Sequence, residues 1–348
     1  MRPTVIDIAR EAGVSLATVD RVLNDRPGVR GKTVLAVSQA IARLGYVRDM
    51  AAANLARQRN YRTAFVLPDT QSQFVETLLA ELDSAASLAT AARTQIEVIR
   101  FPAEDPHSLA ALLMTLPEKG VAGVALMAPE TPVLRDAIKT LRQKGLAVVA
   151  LVSDLPNTER DHFVGIDNRA AGRTCAVLMG RFLGQGPQKV AVVAQSMLLR
   201  DAVERRLGFD ELIGREFPLI EVLPTLENHG STDLLRGVVT EMLTQFPGVG
   251  GIYLLGSGHG ALTRLLDDLH LAKRIVVIGH ELTPHARIAL DAGKMDAVIT
   301  QNVGHLIRSA LRVLRAKIDK SPIDAGQEQL RIEIVMRENL PLTPQDSH

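Results

Sequence analysis

Four side chains near the start of the chain have types and spacings that suit contact with base pairs. Leu16, Ala17, Asp20 and Arg21 would share one face of a helix, opposite the apolar Val19. A guanidinium can donate two hydrogen bonds to a guanine edge, and Leu or Ala can contact a thymine methyl group. The pattern therefore predicts a helix that lies in the major groove of DNA.

The residues around this helix predict the elements that hold it. Thr4 with Asp7 three residues later is typical of a helix N-terminus, and Ser15 can begin the next helix in the same way. Gly13 lies between the two, where a tight turn needs a positive φ. We expect helices over residues 5–11, 15–23 and 33–44.

Charge is distributed unevenly along the chain. Residues 1–62 contain eleven Lys and Arg against five Asp and Glu, whereas the rest contains 29 against 34. This asymmetry favours phosphate binding by the N-terminal end alone. Two alternatives remain open on the motif alone. The helical pair could be a bundle without DNA, and Arg30 in the basic loop could be solvated rather than bound to a phosphate.

Composition excludes several classes of protein. The 348 residues allow two or three domains, and no charge-free apolar run reaches the roughly 18 residues of a membrane span. The start MRPTVIDIAREAG lacks the apolar core of a secretory signal, and the single cysteine, Cys175, excludes an internal disulfide. We therefore expect a reduced, cytoplasmic protein without a membrane partner. Scarce aromatic residues argue against stacking on single-stranded nucleic acid.

After residue 61 short apolar segments alternate with amphipathic helical ones. This alternation is typical of α/β folds with doubly wound parallel sheets. Because the strands exceed one such sheet, we expect two lobes with a ligand cleft at the carboxyl ends of the strands. The predicted strands are 63–69, 95–101, 123–129, 146–154, 162–167, 189–195, 251–256, 274–281, 296–302 and a last one within 331–339.

Several stretches resemble the LacI/GalR family of transcriptional regulators over essentially the whole chain. They are IDIAREAGVSLATVDRVLN, GYVRDMAAANLA, VGIDNRAAG, RLGF, VVIGHELT and ITQN. The resemblance implies a homodimer that binds a near-palindromic operator in double-stranded DNA, with paired hinge helices in the minor groove. It also implies a three-helix headpiece at 1–47, a hinge at 48–61 and a two-lobed periplasmic-binding-protein-like domain at 62–348. The expected lobes are 62–161 with 291–322, and 162–290 with 323–348.

The resemblance assigns DNA contacts to residues of this sequence. It implies base reading by Leu16, Ala17 and Arg21, and a wedge between central base pairs by Leu55. Asp20 departs from the small hydroxyl residue that the family has before the recognition arginine, so the operator sequence cannot be transferred. The full expected set is Thr4, Ser15, Leu16, Ala17, Arg21, Asn24, Arg30, Thr33, Ala52 and Leu55.

The same resemblance implies an effector site in the cleft. The expected contacts are Gln71, Phe74, Arg205, Glu281 and Gln301, with Ser153 and Asp154 as substitutes for an Asp that is Val152 here. An arginine fork and a carboxylate suit a polyhydroxylated ligand. A sugar, a sugar acid or a polyol is therefore the expected effector. Met127 and the segment GSGHGA also depart from the family pattern.

Two motifs suggest an enzyme instead. GSGHGA (256–261), with Glu281 at the end of the next strand, matches a nicotinamide-binding pattern in outline, but it comes late in the chain. HELTPH (280–285) resembles a zinc motif but has Pro284 where the second ligand should stand. A third alternative is a sugar-binding protein without a regulatory role. We predict a repressor that is not an enzyme and needs neither metal nor cofactor.

Overall fold

The computed structural model describes residues 3–23, 27–46, 60–70, 72–91, 93–103 and 105–342. The chain divides into two units, Met1–Arg59 and Asn60–His348. Among these described residues no helix has the length and apolar character needed to cross a membrane.

The first unit contains three helices, α1 (Val5–Ala12), α2 (Leu16–Leu23) and α3 (Gly31–Leu44). The predicted helix start is confirmed, because the Thr4 N–H donates to the Asp7 carboxylate at 2.8 Å and the Asp7 N–H donates back to the Thr4 hydroxyl. Gly13 ends α1 with φ of 64°. The predicted two-helix motif with a tight turn is therefore present.

The second helix is held by its own cap and by a small shared core. The Ser15 hydroxyl accepts a hydrogen bond from the Thr18 N–H at 3.2 Å. One cluster of buried side chains joins all three helices: Ile8, Ala9, Val19, Val37 and Ala40. This core places the opposite face of α2 in solvent.

The second unit is built from alternating strands and helices. Its elements are β1 (Tyr61–Asp69), α4 (Gln73–Ala91), β2 (Thr94–Pro102), α5 (Pro106–Thr115), β3 (Gly123–Leu126), α6 (Pro132–Gln143), β4 (Ala147–Leu151), β5 (His162–Val164), α7 (Asn168–Leu183), β6 (Gln188–Ala194), α8 (Arg200–Glu216), β7 (Ile220–Glu227), α9 (Thr232–Gln245), β8 (Val249–Leu254), α10 (His259–Asp268), β9 (Val276–His280), α11 (Pro284–Asp291), β10 (Ala297–Thr300), α12 (Val303–Ile318), α13 (Ala325–Glu328) and β11 (Glu333–Val335), followed by a 3-10 turn at Arg337–Asn339.

These strands form two sheets, one in each lobe. The first has the order β2-β1-β3-β4-β5 and the second the order β11-β10-β9-β8-β6-β7. All pairs are parallel except β10 with β11. The predicted fold, a two-lobed α/β domain with doubly wound parallel sheets, is confirmed.

The lobe boundaries that we expected are wrong at two strands. β5 pairs with β4, so residues 162–164 belong to the first lobe. β10 pairs with β9, so residues 297–300 belong to the second lobe, and the chain returns to the first lobe with α12. The alternation of strands and helices in a sequence shows where the strands lie but not which strands pair. Lobe membership depends on that pairing.

One strand, β7, was not predicted. Pro224 interrupts its apolar pattern, and proline lacks the N–H that a central strand would donate. The structure accommodates it at the sheet edge, where the β6–β7 register shifts between Val190 and Val192.

Two glycines bring α7 and α8 into backbone contact. A Cβ atom at Gly172 would lie 2.0 Å from the Arg205 carbonyl oxygen, and one at Gly208 would lie 2.0 Å from the Arg169 carbonyl oxygen. Only glycine permits this approach. The crossing fixes the backbone of Arg205.

Candidate functional site

The outward face of α2 is exposed in the first unit. Leu16 is 49% exposed, and Ala17, Asp20 and Arg21 are exposed as well, whereas Val19 on the opposite face is buried. An exposed leucine and alanine beside an arginine can offer apolar contact and a guanidinium donor to one groove.

The other predicted DNA contacts fall into two groups. The hydroxyls of Thr4 and Ser15 serve as helix caps, while Arg30 is exposed directly before α3 and Thr33 is partly buried in its first turn. All four are at helix starts, where backbone N–H groups also suit phosphates. Asn24, Ala52 and Leu55 lie outside the described residues.

The second unit contains a cavity of about 720 Å³ between its lobes. The first lobe contributes Asp69, Phe74 and Met127, and the second lobe contributes the loops that follow β6, β7, β8 and β9. The carboxyl ends of parallel strands are the usual place for a ligand in such folds, and the volume suits a small molecule.

Arg205 is the most constrained side chain of this cavity. It is 2% exposed, and each of its three nitrogens has an acceptor. Nε donates to Asn168 Oδ1 at 2.8 Å, Nη1 to the Leu255 carbonyl oxygen at 2.9 Å and Nη2 to Glu281 Oε1 at 3.0 Å. The guanidinium is therefore rigid, and its charge is balanced by Glu281 and by Asp201, whose nearest oxygen is 3.7 Å away.

Glu281 and its neighbours leave acceptors without a protein partner. Burial raises the pKa of Glu281, and the adjacent Arg205 guanidinium opposes that rise. Oε2 of Glu281, Oδ1 of Asp201 and Oε1 of Gln301 are buried and have no hydrogen-bond donor among the described residues. Buried polar atoms normally have partners, so this group is suited to hydroxyl donors of a ligand.

The other residues predicted to contact the effector do not all line this cavity. Phe74 lines the cavity, and Gln301 lines a smaller adjoining one of about 220 Å³ while donating to Glu281 Oε1 at 3.3 Å. Ser153 does not line the cavity, because its buried hydroxyl accepts the Asp201 N–H across the lobes at 3.3 Å. Gln71 lies outside the described residues.

The assignment of Asp154 to the effector site needs correction. Its carboxylate forms a two-pronged ion pair with Arg160 and is absent from the cavity lining. A carboxylate that already has both guanidinium donors has little capacity left for a ligand. The substitution of Val152 for the expected Asp is therefore not compensated by its neighbour.

Sequence reasoning did not assign any role to Asn228, which follows β7. It is 2% exposed and lines the cavity, and its Oδ1 accepts the Gly230 N–H at 2.8 Å. Its Nδ2 has no hydrogen-bond partner within the described part of the chain. The only signal that could have found it is the position after a strand, and that strand was itself missed.

The two enzyme-like motifs both lie in the second lobe. His280 lies on β9, buried beside Tyr253, with 2.7 Å between Nε2 and the phenol oxygen, while Pro284 starts the next helix. Burial lowers the pKa of His259 to about 4, so this first residue of α10 is neutral at pH 7. The GSGHGA segment leads from β8 into α10 in the second lobe rather than heading the first sheet.

A basic helix-turn-helix and a two-lobed ligand-binding domain in one chain define a DNA-binding regulator that responds to a ligand. Residues 4–49 match the bacterial regulatory proteins of the lacI family, and residues 63–322 match the periplasmic binding protein domain. The chain therefore belongs to the periplasmic binding protein domain family over most of its length, and it has a lacI-family DNA-binding region at its N-terminus.

Relatives match over different parts of the chain. The ribose operon repressor of Halalkalibacterium halodurans is 26% identical over 344 residues, which is 96% of either chain. Catabolite control protein A of Priestia megaterium is 36% identical over 88 residues, 25% of this chain and 26% of that protein.

Solved structures are similar in fold to the second unit. GanP, a glucose-galactose binding protein of Geobacillus stearothermophilus, has a TM-score of 0.72 at 17% identity and covers 82% of this chain and 100% of its own. A solute-binding protein of Burkholderia graminis in complex with D-arabinose has 0.72 at 20% identity, with 81% and 97% covered.

Proposed function

We propose that this protein is a cytoplasmic repressor that binds a near-palindromic operator as a homodimer and is controlled by a sugar-like ligand in the interlobe cavity. The observation that carries the ligand part is the buried cluster of Arg205, Asp201 and Glu281 with its unpartnered acceptor oxygens. The sugar-related names of the relatives support the same ligand class.

The exposed face of α2 supports the DNA part of the proposal. Arg21 reads a guanine, and Leu16 and Ala17 contact thymine methyl groups or similar apolar edges. Thr4, Ser15, Asn24, Arg30 and Thr33 contact the phosphate backbone. Ala52 and Leu55 enter the minor groove, where a leucine wedge kinks the duplex.

Hydrogen bonds between the lobes connect ligand binding to regulation. The His285 N–H donates to Gln73 Oε1 at 3.3 Å, and the Asp201 N–H donates to the Ser153 hydroxyl. A ligand that prefers one arrangement of these lobes shifts the population toward it. Operator affinity then changes by the same coupling free energy, which requires unequal ligand affinity for the two states.

Selection of genomic DNA fragments by the full-length protein tests this proposal. We expect enrichment of a palindromic sequence with a central C-G step at moderate salt. The matched control is the full-length double variant Leu16→Ala with Arg21→Ala, which keeps the fold because both side chains are exposed. Equal enrichment by the two proteins would refute base reading by α2.

The alternative, a sugar-binding protein without a regulatory role, makes the opposite prediction. Such a protein would bind a sugar but select no DNA sequence, and sugar would leave its DNA affinity unchanged. If the protein does select an operator, the genomic sequences beside that operator nominate the sugar to be tested. A change in operator affinity of about fivefold or more on adding that sugar would be typical of allosteric coupling.

A further inference from the structure

The cavity has two chemically different ends. The carboxylate end consists of Asp201 and Glu281, and Glu281 follows β9. The donor end consists of Asn228, Ser231, the first turn of α10 (residues 258–261) and Arg264. In the strand order β9-β8-β6-β7, α10 begins after β8, next to the loop that carries Glu281, and only Asn228, which follows β7, is three strand spacings or about 14 Å from that loop.

The first turn of α10 presents backbone donors that no side chain satisfies. The helix begins after Gly258, whose φ is 116°, and no side chain caps it in the described part of the chain. A helix start has unpaired N–H groups and a partial positive charge, a combination that favours anions. His259 in this turn is neutral and adds no charge, since burial lowers its pKa to about 4.

Asn228 adds an independent donor at the same place. Since Oδ1 accepts the Gly230 N–H, the amide nitrogen points the other way, and none of the described residues accepts from it although Asn228 is 2% exposed. Nδ2 lies 3.6 Å from where a Cβ of Gly258 would be, so it points at the start of α10. A buried donor of this kind indicates a ligand acceptor.

The residues named for the donor end include a cation and no carboxylate, and Asp69 of the first lobe, which also lines the cavity, pairs with Arg100 at 2.8 Å. Arg264, one turn further along α10, lines the cavity and is exposed, and it has no ion-pair partner in the described parts of the chain. Glu227 precedes Asn228 but does not line the cavity, and its carboxylate accepts the Met197 N–H at 2.8 Å. Arg264 therefore differs from Arg205, whose charge is balanced by Asp201 and Glu281.

We propose that the donor end binds the phosphate group of a phosphorylated sugar or polyol, whose hydroxyl groups meet the carboxylate end. This inference rests on the proposed function only in placing the hydroxyl groups at Asp201 and Glu281. A phosphate monoester has three acceptor oxygens and a charge near −2, which match a helix start, an amide, a hydroxyl and a guanidinium.

The test uses inorganic phosphate as the probe, with full-length protein and line broadening of the phosphorus-31 signal. We expect saturable binding by the wild type and weakening by roughly ten- to hundredfold in Arg264→Gln, as one charge-assisted hydrogen bond would give. Arg274→Gln, an exposed position of the same lobe outside the cavity, is the matched control and should bind as the wild type does.

Asn228→Asp supplies a second variant. It keeps the acceptor toward Gly230 but replaces the donor by an anion, so phosphate binding should be lost, with circular dichroism as the check of folding. If the Asn228→Asp variant does not fold, Arg264→Gln alone decides. Absence of phosphate binding by the wild type, equal binding by Arg264→Gln, or acetate binding as tightly as phosphate would overturn the proposal.

Sugar phosphates extend the test. Glucose 6-phosphate or ribose 5-phosphate should displace inorganic phosphate at lower concentrations than the parent sugars do, and parent sugars that displace it equally well would contradict the assignment. The proposed function can fail independently of this inference. If the protein selects an operator but does not bind phosphate, only the phosphate site is refuted. If it binds phosphate but selects no DNA, only the regulatory role is refuted.

Discussion

The two units place their candidate functional side chains in opposite environments. In the first unit Leu16 is 49% exposed and Arg21 is also exposed, whereas in the second unit Arg205 is 2% exposed and Glu281 is buried. Side chains that contact DNA from an exposed helix face contribute little to folding. A guanidinium inside a cavity stabilises the buried carboxylates around it, so function and stability are coupled there.

The largest expected effect is that of Arg205→Ala on the second unit. The substitution leaves Glu281 and Asp201 buried without their cation, and we expect the free energy of unfolding to fall by about 3–5 kcal/mol. Urea unfolding followed by circular dichroism measures this. Arg173→Ala on α7, whose nearest carboxylate oxygen is 4.0 Å away in Glu211, is the control and should cost less than about 1 kcal/mol.

A double variant separates charge from shape. Arg205→Met with Glu281→Gln removes the cation and one of the two buried carboxylates, and it should recover part of the loss. Equal unfolding midpoints for the wild type and Arg205→Ala would show that the buried site does not stabilise the second unit, and the contrast with the first unit would be lost.

The second prediction concerns acid. The pKa of His259 is about 4 in the folded chain because of burial, against about 6.5 unfolded. Between these values only the unfolded state binds the proton, so stability falls as the pH falls, by about 1.4 kcal/mol per unit. From about pH 6.5 to about pH 5 the His259 contribution amounts to about 2 kcal/mol.

His259→Gln should remove this part of the pH dependence, whereas the exposed His107→Gln should leave it intact. Unfolding midpoints measured from pH 7 to pH 5 compare the three proteins. His280, whose pKa burial also lowers, is present in all three proteins, so its contribution is common to them apart from its interaction with His259. Parallel curves for wild type and His259→Gln would contradict the prediction.

The third prediction concerns Arg21 on the exposed face of α2, where a substitution should change DNA binding but not stability. Arg21→Ala should reduce affinity for the selected operator by about 1–3 kcal/mol and relax preference at one base pair, without moving the unfolding midpoint. Fluorescence anisotropy with single-base operator variants measures both. Arg10→Ala, on α1, is the control; wild-type selectivity of Arg21→Ala would remove the base-reading role.

The smallest expected effect is at the first helix cap. Thr4→Ala removes the acceptor for the Asp7 N–H and should destabilise α1 by about 1 kcal/mol, whereas Thr4→Ser should be nearly neutral. Amide exchange over residues 5–12 reports it locally. Faster exchange confined to the second unit would be inconsistent with this role.

More of the exposed α2 face than of the buried cavity could be predicted from the sequence, because the features that build the α2 face are local. Caps, a turn glycine and helical spacing are local, so Thr4, Gly13 and the outward face of α2 follow from the sequence alone. The lobe of β10 and the edge position of β7 depend on pairing between distant segments. The sequence therefore predicted the α/β alternation and β10 as a strand, but neither the lobe of β10 nor the strand β7.

Long-range packing limited the prediction of the cavity in the same way. Arg205 and Glu281 were predicted and are brought together, but Asp154 pairs with Arg160 six residues later and turns away from the cavity. Asn228 lies on the loop after the unpredicted strand. Which polar side chains remain unpartnered is decided only when all neighbours are in place.

The contact between Gly172 and the backbone of Arg205 also determines how this scaffold can diversify. Since α7 and α8 cannot approach or separate without a clash or a void, the backbone of Arg205 is a fixed part of the cavity wall. New ligand preferences must then arise in the loops after β7 and β8. Those loops are where a biosensor based on this chain should be randomised.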